Sequence, residues 1–146
     1  MRLLRFSLLF ALAMGSAHAA DMTSYFPARD VPRFLAANFD LASVRGSFGS
    51  RRTAAQRTFA SLGQAPTRVT AELVEFDSED WYYSLRILWR GDLNRDGIED
   101  LEVCFVDRAK NGSYNSQQAL LVSRYSDSGL ALALRFEVSG CETVTR

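Results

Sequence analysis

The strongest chemical signal in the chain is the segment 92–100, in which oxygen-bearing side chains occupy alternate residues. A hard cation such as Ca²⁺ takes about six to eight oxygen ligands, and a tight loop can supply them from its positions 1, 3, 5 and 9 and from the carbonyl of position 7. Gly97 permits the sharp turn that directs the earlier side chains inward. Three carboxylates this close repel one another unless a cation or protons neutralise them. The predicted calcium ligands are Asp92, Asn94, Asp96, Ile98 and Asp100.

Two features distinguish this segment from an EF-hand loop. An EF-hand places a bidentate Glu at position 12, where this chain has Val103, and helices flank it, whereas both flanks here alternate as strands do. Residues 92–101 instead resemble the D-x-D/N-x-D-G-x-x-D-L loop of FG-GAP and VCBS-type repeats, the integrin-like calcium loop that joins two β-strands. The resemblance implies the same five ligands, with Ile98 binding through its carbonyl. The motif occurs once, so the propeller of that family is not implied.

The same segment also permits an interpretation without metal. In a solvated acidic turn, Asp92 and Asn94 would hydrogen-bond to nearby backbone groups. Mg²⁺ fits the pattern less well than Ca²⁺, because Mg²⁺ prefers a smaller octahedral site and keeps its waters. Extracellular calcium modules bind with dissociation constants of about 10⁻⁴ to 10⁻³ M, so ambient calcium would suffice for a structural ion.

Residues 1–19 have the features of a secretion signal. Arg2 and Arg5 provide the positive start, residues 3–14 the apolar run, and residues 17–19 an A-x-A cleavage site. The run has about a dozen residues and a membrane-spanning helix needs roughly twenty, so we expect a cleaved signal with no membrane insertion afterwards. The prediction is a periplasmic or secreted protein whose single domain is 20–146.

Cys104 and Cys141 are the only cysteines, and export would place them in an oxidising compartment. We therefore expect a disulfide between them, with two buried thiols as the alternative. On the chain-entropy model, closing a loop of this length stabilises the fold by about 4 kcal/mol.

The composition of the expected mature chain excludes several classes of function. Cleavage after Ala19 would leave 127 residues, enough for one domain with its own core. That chain carries 15 basic and 17 acidic side chains, which argues against nucleic acid as a partner. His18 is the only histidine and lies in the signal, which removes the His-dependent Ser and Cys triads and the usual zinc sites.

Two helices are expected in the N-terminal half. Apolar residues at helical spacing predict a helix near 31–39, with Asp30 as its N-cap. Thr53 and Gln56 have the spacing of a capping box, which would begin a second helix over 54–62. A strand over the same residues is the alternative.

From Thr67 onward apolar residues recur with period two, which is typical of strands. A strand that includes 69–73 leads through an acidic turn at 77–80 into a long strand that ends at the acidic loop, and further strands follow it. The expected fold class is α+β: a mainly antiparallel β meander of about five strands, with one or two short N-terminal helices covering one face.

One face of the expected sheet is too apolar to remain in water, so we expect the helices to cover it. Its members are Trp81, Tyr83, Leu85, Ile87, Trp89, Leu132, Leu134 and Phe136. An aromatic binding platform is the alternative interpretation of this stripe. Arg90 and Tyr82 should lie on the opposite face, and Tyr82, with Tyr114 of the loop 108–116, is a candidate contact for a partner.

These features predict an exported, calcium-binding domain with a structural role or a protein- or glycan-binding role, and without catalysis. One alternative is an inhibitor of an exported enzyme, because small disulfide-closed β domains are common among such inhibitors. An alternative of a different class is a hydrolase that uses carboxylates with the metal as Lewis acid. An open coordination position beside a pocket would favour the hydrolase.

Overall fold

The structure is a computed structural model that describes residues 22–141 of the 146-residue chain. Its helix and strands are α1 Val31–Asn38, β1 Arg68–Val69, β2 Leu73–Asp77, β3 Trp81–Gly91, β4 Asp100–Ala109, β5 Asn115–Ser123 and β6 Leu132–Leu134. Two short 3₁₀ turns precede the sheet, at Ser47–Ser50 and Ala60–Leu62. The expected signal, 1–19, lies outside the described residues. Within residues 22–141, no helix is long and apolar enough to cross a membrane.

The six strands form one antiparallel sheet in the order of the chain, β1-β2-β3-β4-β5-β6. The expected α+β meander is therefore confirmed, although it has six strands rather than about five. The difference arises at Thr70, where the strand expected over 69–73 turns back on itself. The Thr70 hydroxyl accepts the N–H groups of Glu72 and Leu73, and this side-chain turn separates β1 from β2.

Helix α1 lies where it was expected, but neither predicted N-terminal cap forms as such. Asp30 has φ 57° and its side chain makes no capping hydrogen bond. At the second position, the Gln56 side chain accepts the N–H of Thr53 at 2.9 Å, which is half of a capping box without the helix that would follow.

The prediction of a helix over 54–62 is wrong, because only the 3₁₀ turn Ala60–Leu62 forms there. Tertiary contacts hold the backbone of this segment in another conformation. The N–H of Leu41 donates to the carbonyl of Arg57 at 2.7 Å, and the Arg57 guanidinium pairs with the buried carboxylate of Asp40. These contacts outweigh a weak local helix preference.

The core lies between the sheet and the N-terminal half of the chain, as expected. Helix α1 packs on β2 and β3, and aromatic side chains from both halves meet. Phe59 stacks on Phe76 with 3.9 Å between ring centroids, and Phe48 stacks on Tyr83 at 4.6 Å. The largest fully buried side chains of this core are Phe39, Phe59, Phe76, Phe105, Leu35, Leu41, Leu85 and Leu101.

A bulge in β3 makes the prediction for Trp89 and Arg90 wrong. The register with β4 shifts between Ile87 and Trp89, so that Trp89 pairs with Glu102. One extra residue reverses the alternation of side chains along the rest of the strand. As a result Trp89 is 47% exposed, and Arg90 turns toward the N-terminal segment.

The last strand also presents the opposite face from the one expected. Leu134 pairs with Leu121, whereas Ala133 pairs with Val122 and packs against the core. The assignment of Leu132, Leu134 and Phe136 to the apolar core face is therefore wrong. The register is set where the end of α1 meets the chain before β6, because the N–H and carbonyl of Ala131 bond to the backbone of Asn38 and Asp40.

The predicted disulfide between Cys104 and Cys141 is confirmed. Cys104 lies in β4, so the bond holds the C-terminal segment 135–141 against the face of the sheet opposite the core. The Gln117 side chain also donates to the carbonyl of Cys141 at 2.9 Å. The last described residues are thus fastened to the two strands β4 and β5.

Candidate functional site

The loop 92–100 connects the two longest strands, β3 and β4. Its first aspartate closes it: the Asp92 carboxylate accepts the N–H of Asp96 at 3.0 Å and that of Gly97 at 2.9 Å. Gly97 has φ 82°, in the left-handed region that glycine adopts without strain, as the sequence predicted. Arg95 also has a positive φ, 65°.

The other two predicted side-chain ligands in the turn also accept loop N–H groups. Asn94 Oδ1 accepts the N–H of Asp96 at 3.0 Å, and Asp96 Oδ1 accepts that of Ile98 at 2.9 Å. In addition, Asn94 Nδ2 donates to Asp96 Oδ2 at 2.9 Å. In both cases the side-chain oxygen accepts the N–H of the residue two positions later in the chain. This is the geometry of an Asx turn.

Asp100 is the buried member of the set. Its Oδ2 accepts the N–H groups of Leu93 and Asn94 at 3.1 and 3.2 Å, and its Oδ1 accepts the hydroxyl of Ser123 from the neighbouring strand β5. The residue is fully buried, and these three donors satisfy its carboxylate oxygens. Asp100 therefore ties the loop both to itself and to the sheet.

One observation argues against calcium binding by this loop, and two argue for it. Across residues 22–141, no three His, Cys, Asp or Glu side chains are grouped closely enough to hold a metal ion. The carboxylate oxygens are directed at loop N–H groups instead. In favour, all four predicted side-chain ligands carry oxygen, the donor that Ca²⁺ prefers. The Ile98 carbonyl, the fifth predicted ligand, accepts no hydrogen bond from the described residues.

The N-terminal segment is attached to the same loop. The N–H of Thr23 donates to the carbonyl of Gly97 at 2.9 Å, and the N–H of Glu99 donates to the carbonyl of Thr23 at 2.8 Å. The Glu99 carboxylate accepts hydrogen bonds from Ser24 and from Arg90. Burial opposes ionisation of Glu99, but these bonds and the charge of Arg90 outweigh it, so its pKa is lowered.

A second polar cluster, which the sequence analysis missed, surrounds the buried carboxylate of Asp107 near the end of β4. Asp107 accepts the N–H of Ser47 at 2.6 Å, its hydroxyl at 2.9 Å, and the hydroxyl of Tyr114 at 3.3 Å. The Ser47 hydroxyl also lies 3.3 Å from that of Tyr83. Burial raises the pKa of both tyrosines, and Asp107 adds to it, so both phenols remain protonated donors at neutral pH.

One local signal pointed toward this cluster. In β4 the residues that face the core are Leu101, Val103 and Phe105, and Asp107 is the next residue of the same period. A carboxylate at an inward position requires buried donors. Its main partner, Ser47, is 60 residues away and has no pattern that would reveal the contact.

The two tyrosines predicted as partner contacts lie on opposite faces of the sheet. The Tyr82 hydroxyl donates to Glu75 at 2.7 Å, and its ring lies 4.9 Å below the Arg108 guanidinium, on the face away from the core. Tyr114 contacts Trp81 and Asp107 on the core side. The structure therefore does not bring them into one groove.

The described side chains provide an oxygen-lined loop suited to a hard cation and a buried carboxylate held by hydroxyl groups. Neither includes a histidine, because residues 22–141 contain none. The disulfide removes both cysteines as nucleophiles. No protein-family model, curated protein or solved structure matches this chain.

Proposed function

We propose that this protein is an exported binding domain without catalytic activity, stabilised by Ca²⁺ held in the β3–β4 loop. One observation carries the proposal: Asp92 Oδ1 and Asn94 Oδ1 converge, because both lie 3.0 Å from the main-chain nitrogen of Asp96. The Ile98 carbonyl, the fifth predicted ligand, accepts no hydrogen bond from the described residues. Side chains that the loop already holds in place would lose less conformational freedom when an ion bound. The side-chain ligands would be Asp92, Asn94, Asp96 and Asp100.

The position of the loop explains how an ion would act on the whole fold. The loop joins the two central long strands, and Thr23 and Ser24 attach the N-terminal segment to it. A cation would neutralise three carboxylates that now share only N–H and hydroxyl donors, and it would compete with the Asn94 Nδ2 bond to Asp96. The ion would therefore stabilise β3, β4 and the N-terminal segment together.

A hydrolase is less well supported. Such an enzyme needs a carboxylate free to transfer a proton or an open metal position beside a pocket. In the loop each carboxylate accepts hydrogen bonds from the backbone, and Asp100 is fully buried beneath Ser123. We therefore propose a structural role for the ion and a separate surface for the partner.

Thermal unfolding with and without calcium tests the proposal. For a dissociation constant of about 10⁻⁴ to 10⁻³ M, 10 mM CaCl₂ stabilises the folded state by about 1.4 to 2.7 kcal/mol relative to EDTA, by mass action. We expect a higher midpoint in CaCl₂ than in EDTA and a smaller shift in MgCl₂. Equal midpoints in CaCl₂ and EDTA, with no heat of calcium binding by calorimetry, would exclude the ion.

Two matched variants locate the effect. Asp96 and Asp127 are both exposed, but only Asp96 belongs to the loop. Asp96→Ala should abolish the calcium-dependent shift, whereas Asp127→Ala should retain it in full. Loss of the shift in both variants would point to calcium bound elsewhere.

A further inference from the structure

Trp89 is an exposed aromatic side chain whose ring packs against the main chain at Gly91. A Cβ atom on Gly91 would lie 2.0 Å from Cη2 and 2.5 Å from Cζ3 of Trp89, so the six-membered ring occupies the space beside the Gly91 backbone. Even so, 47% of the Trp89 surface remains accessible to water. The ring is therefore seated on the backbone, and much of it is left free for a ligand.

The exposure follows from the bulge in β3. Without the extra residue, Trp89 would lie on the core face, where its apolar surface would be removed from water. With it, both Leu88 and Trp89 are exposed. Large exposed apolar groups that lie next to one another are typical of binding surfaces.

Trp89 borders a cleft of about 250 Å³ at the edge of the sheet, where β3 extends past the first residue of β2. The cleft is also lined by residues 28–31, at the start of α1, and by residues 71–72, before β2. Three exposed side chains there, Arg29, Asp30 and Glu72, form no ion pair or side-chain hydrogen bond within residues 22–141. The cleft thus brings Trp89 together with side-chain donors and acceptors that have no described partner.

We infer that this cleft binds one pyranose ring of a neutral glycan, with Trp89 as the stacking platform. The carbon–hydrogen face of a sugar is apolar and can cover an indole ring, as other apolar surfaces do. Its hydroxyls both donate and accept, which matches the donors of Arg29 beside the acceptors of Asp30 and Glu72. The mixed charge of these three side chains does not select an anionic ligand.

Two observations favour a single sugar ring over a peptide. Pockets for drug-sized ligands measure about 300 to 1,000 Å³, so a cleft of about 250 Å³ holds one ring, with the rest of the glycan outside. A peptide that added to the edge of β3 would need a regular strand there, and the bulge at Leu88 interrupts the spacing of its backbone groups. This inference deepens the binding role proposed above and rests on that role, but it does not depend on calcium.

The two tryptophans make the test specific, because the full chain has only Trp81 and Trp89. The ¹⁵N-labelled protein would be titrated with chitohexaose, cellohexaose, maltohexaose and xylohexaose, each to 10 mM, while the two indole N–H signals are followed. We expect one sugar to shift the Trp89 signal in a saturable manner and to leave that of Trp81, which lies under Arg51, unchanged.

Variants then separate binding from folding. Trp89→Ala should weaken binding at least tenfold while the dispersed amide signals of the folded protein are retained, because the ring lies outside the core. Trp89→Phe should keep part of the affinity, and Trp81→Phe, which also assigns the signals, should keep all of it. Binding that survives Trp89→Ala, or no Trp89 shift with any of the four sugars, overturns the inference. Saturable binding of an extended decapeptide in place of sugar also overturns it.

The same titration in CaCl₂ and in EDTA keeps the two proposals apart. Sugar binding in both, with no calcium effect on thermal unfolding, would refute the calcium site and support the glycan cleft. A calcium effect on unfolding without any sugar shift would refute the glycan cleft alone.

Discussion

Two buried carboxylates at opposite ends of β4 are held by different kinds of contact. Asp100 accepts the N–H groups of Leu93 and Asn94, which lie seven and six residues earlier in the chain. Asp107 accepts the N–H and hydroxyl of Ser47, 60 residues earlier. The first contact closes one loop, whereas the second joins the two halves of the protein.

The contact of Asp100 is therefore determined by neighbouring residues, whereas the contact of Asp107 depends on the overall fold. Donors within one loop approach their acceptor as soon as the loop turns, so Asp100 acts mainly on the segment that it begins. The contact of Asp107 requires the chain around Ser47 to reach the sheet first, and it then holds the 3₁₀ turn Ser47–Ser50 beneath Tyr83. Two carboxylates of equal exposure can therefore stabilise different parts of the structure, one a single loop and the other the contact between the two halves of the chain.

The largest expected effect is that of Asp100→Ala. It leaves two N–H groups and the Ser123 hydroxyl without their acceptor in a fully buried site, and each such loss costs about 1 to 3 kcal/mol. We expect the free energy of unfolding to fall by about 3 to 4 kcal/mol, measured by urea titration in EDTA. Asp127→Ala, at an exposed position, should change it by less than about 0.5 kcal/mol. A loss below about 1 kcal/mol for Asp100→Ala would show that this carboxylate does not hold the loop.

Asp107→Ala should cost less, about 2 kcal/mol in the same titration. Ser47 loses its acceptor, but Tyr114 is 39% exposed and its hydroxyl can bond to water instead. Hydrogen exchange sharpens the comparison with Asp100. Asp107→Ala should accelerate exchange at the Ser47 amide and leave the amides of Leu93 and Asn94 protected, and Asp100→Ala should do the reverse. Acceleration at all three amides in both variants would contradict the distinction between local and distant contacts.

The smallest expected effect is the pH dependence of Glu99, beside Asp100. Its carboxylate is buried, but bonds from Arg90 and Ser24 lower its pKa below the ordinary 4.5. A group whose pKa is lower in the folded state stabilises that state above its ordinary pKa, and the stabilisation is lost as the pH falls through the lowered value. At pH 7 the free energy of unfolding of wild type should exceed that of Glu99→Gln by less than about 1 kcal/mol. This difference should disappear as the pH is lowered toward 3.

Thermal unfolding of the two proteins across this pH range measures the gap. Glu79→Gln is the matched control, because Glu79 is exposed in the turn before β3 and should give a curve parallel to that of wild type. A gap for Glu99→Gln that stays constant from pH 7 to 3 would mean that the pairing with Arg90 does not influence this carboxylate.

The elements that could be predicted are those whose determinants lie close together in the chain. Apolar residues with period two predicted the strands, and apolar residues at helical spacing predicted α1. Two cysteines in a chain expected to be exported predicted the disulfide bond. The turn at Thr70 was missed because one threonine between polar and apolar residues does not interrupt a pattern of period two. The prediction of a helix over 54–62 was wrong because the conformation of this segment depends on contacts of Arg57 with Asp40 and Leu41, which lie elsewhere in the chain.

Sequence alone determined the oxygen-rich loop, because alternating side chains and one glycine produce its hydrogen bonds from neighbouring peptide groups. Calcium binding by that loop stays a prediction from the same spacing. The tertiary structure alone decided which face each end of the sheet presents. One extra residue in β3 turned Trp89 outward and Arg90 inward, and the contact of Ala131 with the end of α1 turned the β6 leucines away from the core. Register in a sheet depends on partners that are distant in sequence, and a shift of one residue reverses every side chain beyond it.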